Sequence, residues 1–523
     1  MIKTEHFYNN SWFWATIIII SFFIVVFAIS LSQFVWIDEG FTLTTIATDT
    51  GRVWHRAFIF EGQPPLYFVV LSIWRSINSS VFFIRLFSIF SVTLSLVFVF
   101  DILKKHVHSV SPLIVLLFFS FVHFVLWTAL EIRVYAMVLL LSVITIRLFL
   151  DIYNSSGIAS PFYKRFIYSM IAVISIYTQY YLVLLFVGNF IFLLINKRWK
   201  AAKFYIIDMI LPVISSLYLL KYLQSQMSIH SYTTVTPITL DEVFSINTHK
   251  LSTYLFPYIN TLPTIYRYLF VLAIAFLIIV FSGKRLLDLL RKSNYFIFIT
   301  VFLVIAFSSL LLLTDRLNLL QRHTISMLFP MTVTFLLLIG AIKSEKLKYL
   351  LIGILFFLNI LFVYKRYVLG HPKGREYVEV CKFIEENDTS DEPVFCYRND
   401  ISLMIKHYGL SNKIVQIPVD IDFDARYDRW KWVFKDTLQL DSIFSSNDIS
   451  KGFWLVMSES DSANRAHNYR YGVVYKYDEL LKYVSNHFNI VSQHKFEPGF
   501  MLREVKPKAN KKDEFVDIPD KSP

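Results

Sequence analysis

The chain has 523 residues, of which 55% are hydrophobic and only 17% are charged, and its mean hydropathy is +0.52. A soluble protein of this length needs more charge to cover its surface, so the composition excludes that class and predicts a protein of the lipid bilayer. The formal net charge of +12 does not indicate a nucleic-acid partner, because the basic residues lie mainly in short loops between apolar segments.

Apolar segments follow one another through residues 1–366, which we predict to be a transmembrane domain. Because a spanning helix needs about 20 apolar residues, the sequence predicts an α-helical polytopic membrane protein with about 11 spans. The first segment lacks a small-residue cleavage site and is predicted to be retained. The predicted spans are 12–35, 81–103, 111–129, 132–152, 166–179, 180–196, 203–222, 264–282, 294–314, 321–342 and 348–366. The run 166–196 is either two short helices that turn near Gln179 or one long tilted helix.

The predicted orientation depends on segment 64–78, which is apolar but short and begins at Pro64–Pro65. Its length favours a re-entrant or interfacial helix over a span. If it does not span, basic loops such as the one with Lys104 and Lys105 face the cytoplasm, as the positive-inside rule requires. We therefore predict a cytoplasmic N-terminus, long outer loops at 36–80 and 223–263, and a C-terminus outside.

The composition becomes polar after the last predicted span, and residues 367–505 are predicted to form a small extracytoplasmic α/β domain. Strand-like runs at 393–397, 413–419 and 452–457 alternate with helix-like runs at 376–387 and 477–488. The tail 506–523 is charged and is predicted to be disordered. We find no internal repeat.

Adjacent acids follow the first predicted span, at Asp38 and Glu39. Carboxylates that emerge from a membrane are costly unless they have a function or solvent, so they are candidate catalytic residues. A solvated turn in which Gly40 supplies an unusual backbone angle explains them equally well. Gln63 and Tyr67 flank the paired prolines farther along the same loop, where the simple interpretation is a helix start.

A second polar group lies at Glu131, Arg133 and Tyr135, near the outer start of a predicted span. Glu131 and Tyr135 are four residues apart, so we expect them to share a helix face. Arginine and tyrosine at this depth also suit a plain interfacial anchor.

The remaining candidates are Gln179 with Tyr180 and Arg322 with His323, all on the predicted outer side. The tyrosine-rich run suits an aromatic belt, whereas the basic pair suits a bound phosphate or an anionic lipid. Charges within the spans are almost absent apart from His123 and Asp208, and this scarcity disfavours a transporter.

Six motifs follow one another along the chain: WIDEGF (36–41), QPPLYFVVLSIW (63–74), FFIRLFSI (82–89), LEIRVYAMVLLLS (130–142), YTQYY (177–181) and RHTISMLFP (322–330). In this order and spacing they resemble the C-type membrane glycosyltransferases, and more narrowly the branch of protein O-mannosyltransferases and aminoarabinose transferases. The resemblance covers roughly residues 10–370.

The resemblance implies a first outer loop with two interfacial helices and transfer of a sugar from a polyprenyl-phosphate donor to a glycan, lipid or protein acceptor. Asp38 matches the acid that acts as general base or orients the acceptor, Glu39 is its neighbour, and Glu131 matches a second polar position. A single displacement at one carboxylate inverts the anomeric centre. The implied substrate-binding residues are Gln63, Tyr67, Arg133, Tyr135, Gln179, Tyr180, Arg322 and His323, with Arg322 and His323 beside the leaving phosphate. Many relatives have histidine where this chain has Gln63.

No residue spacing demands a metal, and the two cysteines, Cys381 and Cys396, form no metal-binding motif. The oligosaccharyl branch of the superfamily uses a divalent cation, so a metal cofactor stays open. Three other classes stay open as well: a transporter or flippase of lipid-linked saccharides, a glycan polymerase or ligase with essential residues in 223–263, and a non-catalytic scaffold. The retained first span suits a bacterial cytoplasmic membrane.

Overall fold

A computed structural model of the protein describes residues 11–154, 160–229, 239–291, 294–314, 321–388, 391–410, 413–458, 475–496 and 499–508. The chain divides into two compact units. The membrane unit consists of Met1–Phe34, Phe41–Pro372 and Phe423–Tyr427, and the C-terminal unit consists of Val35–Gly40, Lys373–Asp422 and Asp428–Pro523. The predicted tail lies outside the described residues from 509 onward.

The membrane unit is helical throughout its described part. Its helices, with the first turn of α2 belonging to the C-terminal unit, are α1 Ser11–Ser30, α2 Ile37–Thr45, α3 Thr50–Ile59, α4 Leu66–Arg75, α5 Val81–His106, α6 Pro112–Ser120, α7 His123–Leu130, α8 Tyr135–Ile152, α9 Phe162–Thr178, α10 Val183–Ile195, α11 Trp199–Asp208, α12 Ile210–Ile229, α13 Leu240–Leu255, α14 Thr264–Ser282, α15 Lys284–Arg291, α16 Tyr295–Thr314, α17 Leu328–Gly340 and α18 Glu345–Tyr364. Short 3₁₀ segments lie at Tyr180–Leu182, Pro257–Thr261 and Gln321–Met327, and a π-helical turn lies at Lys365–Leu369.

Seven helices in the described residues are long and apolar enough to cross a membrane, or nine if each of two bent pairs is one span. The predicted spans 111–129 and 203–222 are those pairs, α6 with α7 bent by 54° and α11 with α12 bent by 44°. The two other predicted spans are the shorter helices α9 and α10, with 17 and 13 residues. The chain turns between them at Gln179, which is extended, so the two-helix alternative is correct.

Loop 36–80 contains the short helices α2, α3 and α4. Helix α4 has ten residues and is therefore about 15 Å long, half of what a span needs. This length supports the prediction that 64–78 does not span. Helix α3 begins at the N-cap Asp49, whose carboxylate accepts the Arg52 N–H at 3.1 Å. Loop 223–263 carries α13, whose start is fixed by a capping box between Thr239 and Glu242.

Helix α5 packs against α1, α7 and α8 in the middle of the unit. Its buried face carries several serines, two of which donate to carbonyl groups of their own helix, Ser91 to Phe87 at 2.8 Å and Ser95 to Val92 at 2.6 Å. Such internal bonds satisfy hydroxyl groups where no water is present. Small polar side chains thus allow close helix packing without stranded donors.

The C-terminal unit is an α/β fold around a five-stranded sheet of order β2-β1-β3-β5-β4. Strands β1 and β2 and strands β1 and β3 are parallel, whereas β5 is antiparallel to β3 and β4. Its elements are α19 Arg375–Asn387, β1 Val394–Tyr397, α20 Asn399–His407, β2 Ile414–Ile417, α21 Thr437–Ser445, β3 Phe453–Ser458, α22 Tyr477–His487, β4 Phe488–Phe496 and β5 Phe500–Pro507. The three predicted strands and two predicted helices are present. The hairpin β4–β5 was not predicted, and β5 continues to Pro507, past the predicted boundary at 505.

Candidate active site

The candidate catalytic acids Asp38 and Glu39 lie in the first turn of α2. Glu39 is 2% exposed, and its Oε2 accepts the backbone N–H of Trp36 at 3.4 Å. This contact is the carboxylate half of a capping box, in which the third residue of a helix bonds back to the N-cap. Asp38 is half-buried beside it. The two acids therefore have different surroundings, which adjacent positions in a sequence do not reveal.

A buried ion pair joins Arg133 to Glu61 in the membrane unit. Arg133 Nη1 donates to Glu61 Oε2 at 3.0 Å and to Thr42 Oγ1 at 2.6 Å, and the other carboxylate oxygen, Glu61 Oε1, accepts from Thr45 Oγ1 at 3.2 Å. The two charged side chains are 8% and 4% exposed. Sequence reasoning assigned Arg133 to substrate but did not connect it with Glu61, because no local pattern relates residues 72 positions apart.

The expectation that Glu131 and Tyr135 share a helix face is wrong. Glu131 is the extended residue that ends α7, and α8 begins only at Tyr135, so a non-helical bend separates them. Glu131 is buried, and its backbone carbonyl accepts from Ser88 Oγ at 2.7 Å. The Tyr135 ring stacks on Trp127 at 5.1 Å instead.

Gln63 and Tyr67 lie at the start of α4 in different environments. Gly62 has φ of +63°, which favours glycine, and the half-buried Gln63 donates its backbone N–H to the carbonyl of Ala57 at 3.0 Å. Tyr67 is completely buried, with its ring against Phe68 and Phe87. The ring of Tyr67 therefore contributes to the packing of this loop.

Gln179 is buried at the break between α9 and α10, and its amide Oε1 has no hydrogen-bond partner among the described residues. The next residue, Tyr180, packs on a separate aromatic group around Phe58. In that group Phe58 and Tyr222 stack face to face, with ring centroids 3.9 Å apart. Trp54 packs on the same group.

Arg322 and His323 open the 3₁₀ segment before α17, and both are half-buried. The His323 ring lies 6.2 Å from the ring of Tyr181. The following residue, Thr324, shares a 2.7 Å hydrogen bond with the hydroxyl of Tyr254 on α13. The basic pair is therefore tied to loop 223–263, which the sequence did not indicate.

A buried lysine, Lys250, lies on α13 one helical turn before Tyr254. The residue is 2% exposed, and its Nζ has no hydrogen-bond partner in the part of the chain that the structure describes. Burial lowers the pKa of Lys250 from its ordinary 10.5 to about 8. Its neighbour His249 contacts Arg267, with 3.1 Å between Nδ1 and Nη1. Sequence reasoning missed these residues, because a lysine on a helix of a loop is expected to reach solvent.

Aromatic rings connect these elements through the membrane unit. The ring of Tyr254 lies 4.9 Å from Phe124, which lies 4.8 Å from Trp127, which stacks on Tyr135. Within the described residues, no three histidine, cysteine, aspartate or glutamate side chains come together to hold a metal ion.

No protein-family model matches the sequence, and no curated protein matches it either. Among solved structures, the fold is similar to that of ArnT from Cupriavidus metallidurans in the apo state, with a TM-score of 0.54 and 10% identity over 95% of this chain and 98% of that chain. ArnT bound to undecaprenyl phosphate matches with a TM-score of 0.45 and 11% identity over 95% and 98% of the two chains. The oligosaccharyltransferase AglB from Archaeoglobus fulgidus, solved with an inhibitory peptide and a dolichol-phosphate, matches with a TM-score of 0.43 and 11% identity over 94% and 74%.

Proposed function

We propose that the protein is an integral-membrane glycosyltransferase that moves a sugar from a polyprenyl-phosphate donor to a glycan, lipid or protein acceptor on the outer face, with inversion. The observation that carries the proposal is the pair Asp38–Glu39 at the start of a helix directly after α1, in a chain with a C-type glycosyltransferase fold. The apo structure with that fold belongs to a protein also solved with undecaprenyl phosphate, which supports this donor class.

Asp38 is our candidate for the general base. A carboxylate that takes the acceptor's hydroxyl proton must be accessible to the acceptor. Glu39 is 2% exposed and accepts the Trp36 N–H, whereas Asp38 is half-buried, so accessibility favours Asp38 as the base and Glu39 as the helix cap. The phosphate leaves without needing a strong acid, and the acceptor oxygen attacks the anomeric carbon from the opposite side.

Lys250, Arg322 and His323 are our candidates for binding the donor phosphate. A buried lysine without a partner is costly unless an anion completes its environment. The Tyr254–Thr324 hydrogen bond ties the helix of Lys250 to the segment of Arg322 and His323. Cations at that location stabilise the charge that develops on the leaving phosphate.

Arg133 takes a different role from the one expected. Its charge is already neutralised by Glu61, and its second bond goes to Thr42 on α2. We propose that this buried pair holds the later turns of α2 and does not bind phosphate. Glu131, Tyr135, Gln63, Gln179 and Tyr180 stay candidates for contacts with the sugar or acceptor.

A flippase of lipid-linked saccharides is the second candidate, favoured by the two bent helix pairs, since transporters use broken helices at their binding sites. The break at Asp208 weakens this candidate, because its carboxylate is fully engaged by Arg165 and Tyr153. A flippase moves intact donor across the bilayer, whereas a transferase consumes it.

The test is turnover of radiolabelled polyprenyl-phosphate sugars by the purified protein in lipid, with membrane extract as acceptor. Asp38→Asn should lower kcat by at least about 100-fold, since it removes the base but keeps the size of the side chain. Asp49→Asn is the matched control, because asparagine also caps helix α3 and the residue lies in the same loop. Equal activity of the Asp38→Asn variant and wild type would contradict the assignment of the base, and intact donor moved without consumption would favour the flippase.

A further inference from the structure

The segment Val35–Gly40, which carries both candidate acids, is part of the C-terminal unit although more than 330 residues separate it in sequence from the rest of that unit. The hydroxyl of Tyr408 accepts the Val35 N–H at 2.7 Å and donates to the Val35 carbonyl at 3.1 Å. One side chain thus binds both polar backbone groups of Val35, two residues before the helix begins. Such a two-way bond fixes the backbone more firmly than a single contact.

A second contact lies on the other side of the acids, at Gly40. A Cβ atom at this position would lie 2.6 Å from the Sδ of Met404, closer than real Cβ atoms approach, so any larger residue would displace the Met404 side chain of α20. Met404 is completely buried, and it lies four residues before Tyr408, which directly follows α20. The same side of this helical segment therefore contacts the turn before and after the acids.

A third contact is made by the residue before the helix. The Lys373 ammonium lies 4.1 Å from the centre of the Trp36 ring, within the range of a cation–π interaction. Together the three contacts bracket Asp38 and Glu39 from Val35 to Gly40. The whole turn is held by residues of the C-terminal unit.

We propose that the C-terminal unit is a positioning device for the catalytic turn, with Tyr408 as its main positioning residue and Met404 and Lys373 as supports. The inference rests on the proposed function, since it assigns the unit a role in orienting Asp38. Tyr408 acts through the backbone of Val35 and does not touch the reacting atoms. Its loss lets the acid move relative to the acceptor hydroxyl, and a displacement of about 1 Å is enough to slow a reaction strongly.

The first experiment compares Tyr408→Phe with Tyr483→Phe in the full-length protein in lipid. Tyr483 also lies in the C-terminal unit, and its variant loses the hydroxyl bond to Asp441 at 2.5 Å, whereas Tyr408→Phe loses both bonds to Val35. Tyr483 belongs to α22 and takes no part in the contacts of the turn. We expect Tyr408→Phe to lower kcat by about 10-fold to 100-fold with the KM for the donor within about twofold of wild type. Tyr483→Phe should leave both constants near wild type.

Hydrogen exchange of the 35–40 peptide provides a readout that does not depend on activity. Tyr408→Phe should speed exchange of this peptide by about tenfold, because the Val35 N–H loses its acceptor, and Tyr483→Phe should not change it.

A second pair of variants, Gly40→Ala alone and Gly40→Ala with Met404→Ala, tests the contact at Gly40. The added methyl should slow turnover, and shortening Met404 should restore part of it by removing the overlap.

Loss of kcat in Tyr408→Phe together with faster exchange, and partial rescue of Gly40→Ala by Met404→Ala, support the proposal. Tyr408→Phe indistinguishable from Tyr483→Phe in both readouts overturns it. If wild type consumes no donor, the proposed function fails. The exchange measurement alone then decides whether Tyr408 holds the backbone of Val35–Gly40 in place.

Discussion

Two buried charges of the membrane unit, Asp208 and Lys250, have opposite surroundings. Asp208 accepts two bonds from Arg165, at 2.7 Å and 2.8 Å, and one from the hydroxyl of Tyr153 at 2.6 Å. Its backbone carbonyl accepts from Ser169 Oγ at 2.7 Å. Lys250 is buried to a similar degree, but its Nζ has no hydrogen-bond partner among the residues that the structure describes.

The difference separates a structural charge from a candidate functional one. A fully paired charge gains little from a ligand, and its removal leaves its partner unpaired in a buried place. A buried charge without a partner destabilises the protein until an anion arrives, so it stores the free energy that binding then recovers. Stability and donor affinity should therefore respond in opposite ways at the two positions.

The largest effect is expected for Asp208→Asn. This change removes the negative charge and leaves the half-buried guanidinium of Arg165 beside neutral groups, which should lower the free energy of unfolding by about 3 kcal/mol. The KM for the donor and kcat should stay near wild type in the folded fraction. Thermal unfolding in detergent measures the loss of stability, and turnover at low temperature measures the kinetic constants. A raised KM with unchanged stability would contradict the assignment of Asp208 as a structural charge.

The opposite result is expected for Lys250→Met. Methionine keeps the length and removes an uncompensated cation, so the variant should unfold at a higher temperature than wild type. Its affinity for the polyprenyl-phosphate donor should fall by about 10-fold to 100-fold, the value of a charge-assisted hydrogen bond. Arg165→Met is the matched control, because it removes a paired cation and should lose stability without changing donor affinity. Equal donor affinity of Lys250→Met and wild type would remove Lys250 from the phosphate site.

The smallest effect is a pH dependence that also comes from Lys250. Its pKa of about 8 in the folded protein lies below the ordinary 10.5, so the folded state binds fewer protons than the unfolded state between these pH values, and stability should rise with pH in that window. The penalty of the buried charge is fully present below pH 8. Donor affinity should move the other way and fall by at most about tenfold from pH 7 to pH 9, as the ammonium loses its proton. Lys250→Arg should remove this pH dependence, because a guanidinium stays protonated, and an unchanged profile in that variant would assign the titration to another group.

The fold was predictable where a local pattern carries the information. Apolar run lengths predicted most helices, and the short run after Pro64–Pro65 predicted the non-spanning helix α4. Alternating strand and helix runs predicted the core of the C-terminal unit. The hairpin β4–β5 was missed because β4 is an edge strand whose side chains are largely exposed, so its sequence lacks a regular apolar alternation.

The candidate site was predictable only in part. Asp38, Glu39 and Arg133 stood out by residue type, since charges beside apolar spans are costly. The bend between Glu131 and Tyr135 was not predictable, because helix periodicity continues through it in the sequence while the backbone breaks. The burial of Lys250 was equally hidden, since a lysine on a loop helix is expected to reach solvent.

By itself, the sequence determined that the chain has an apolar helical part followed by a polar α/β part, and that two acids follow the first span. These features depend on the length of apolar runs and on residue type, which can be read from neighbouring residues in the chain. Only the tertiary structure decided which charges are paired. Arg133 pairs with Glu61 and Asp208 with Arg165, whereas Lys250 has no counter-ion among the described residues. The turn that carries Asp38 is hydrogen-bonded to Tyr408 through Val35. These outcomes depend on contacts between residues far apart in the chain, and a charge's energy depends on its nearest neighbours in space and not on its neighbours in sequence.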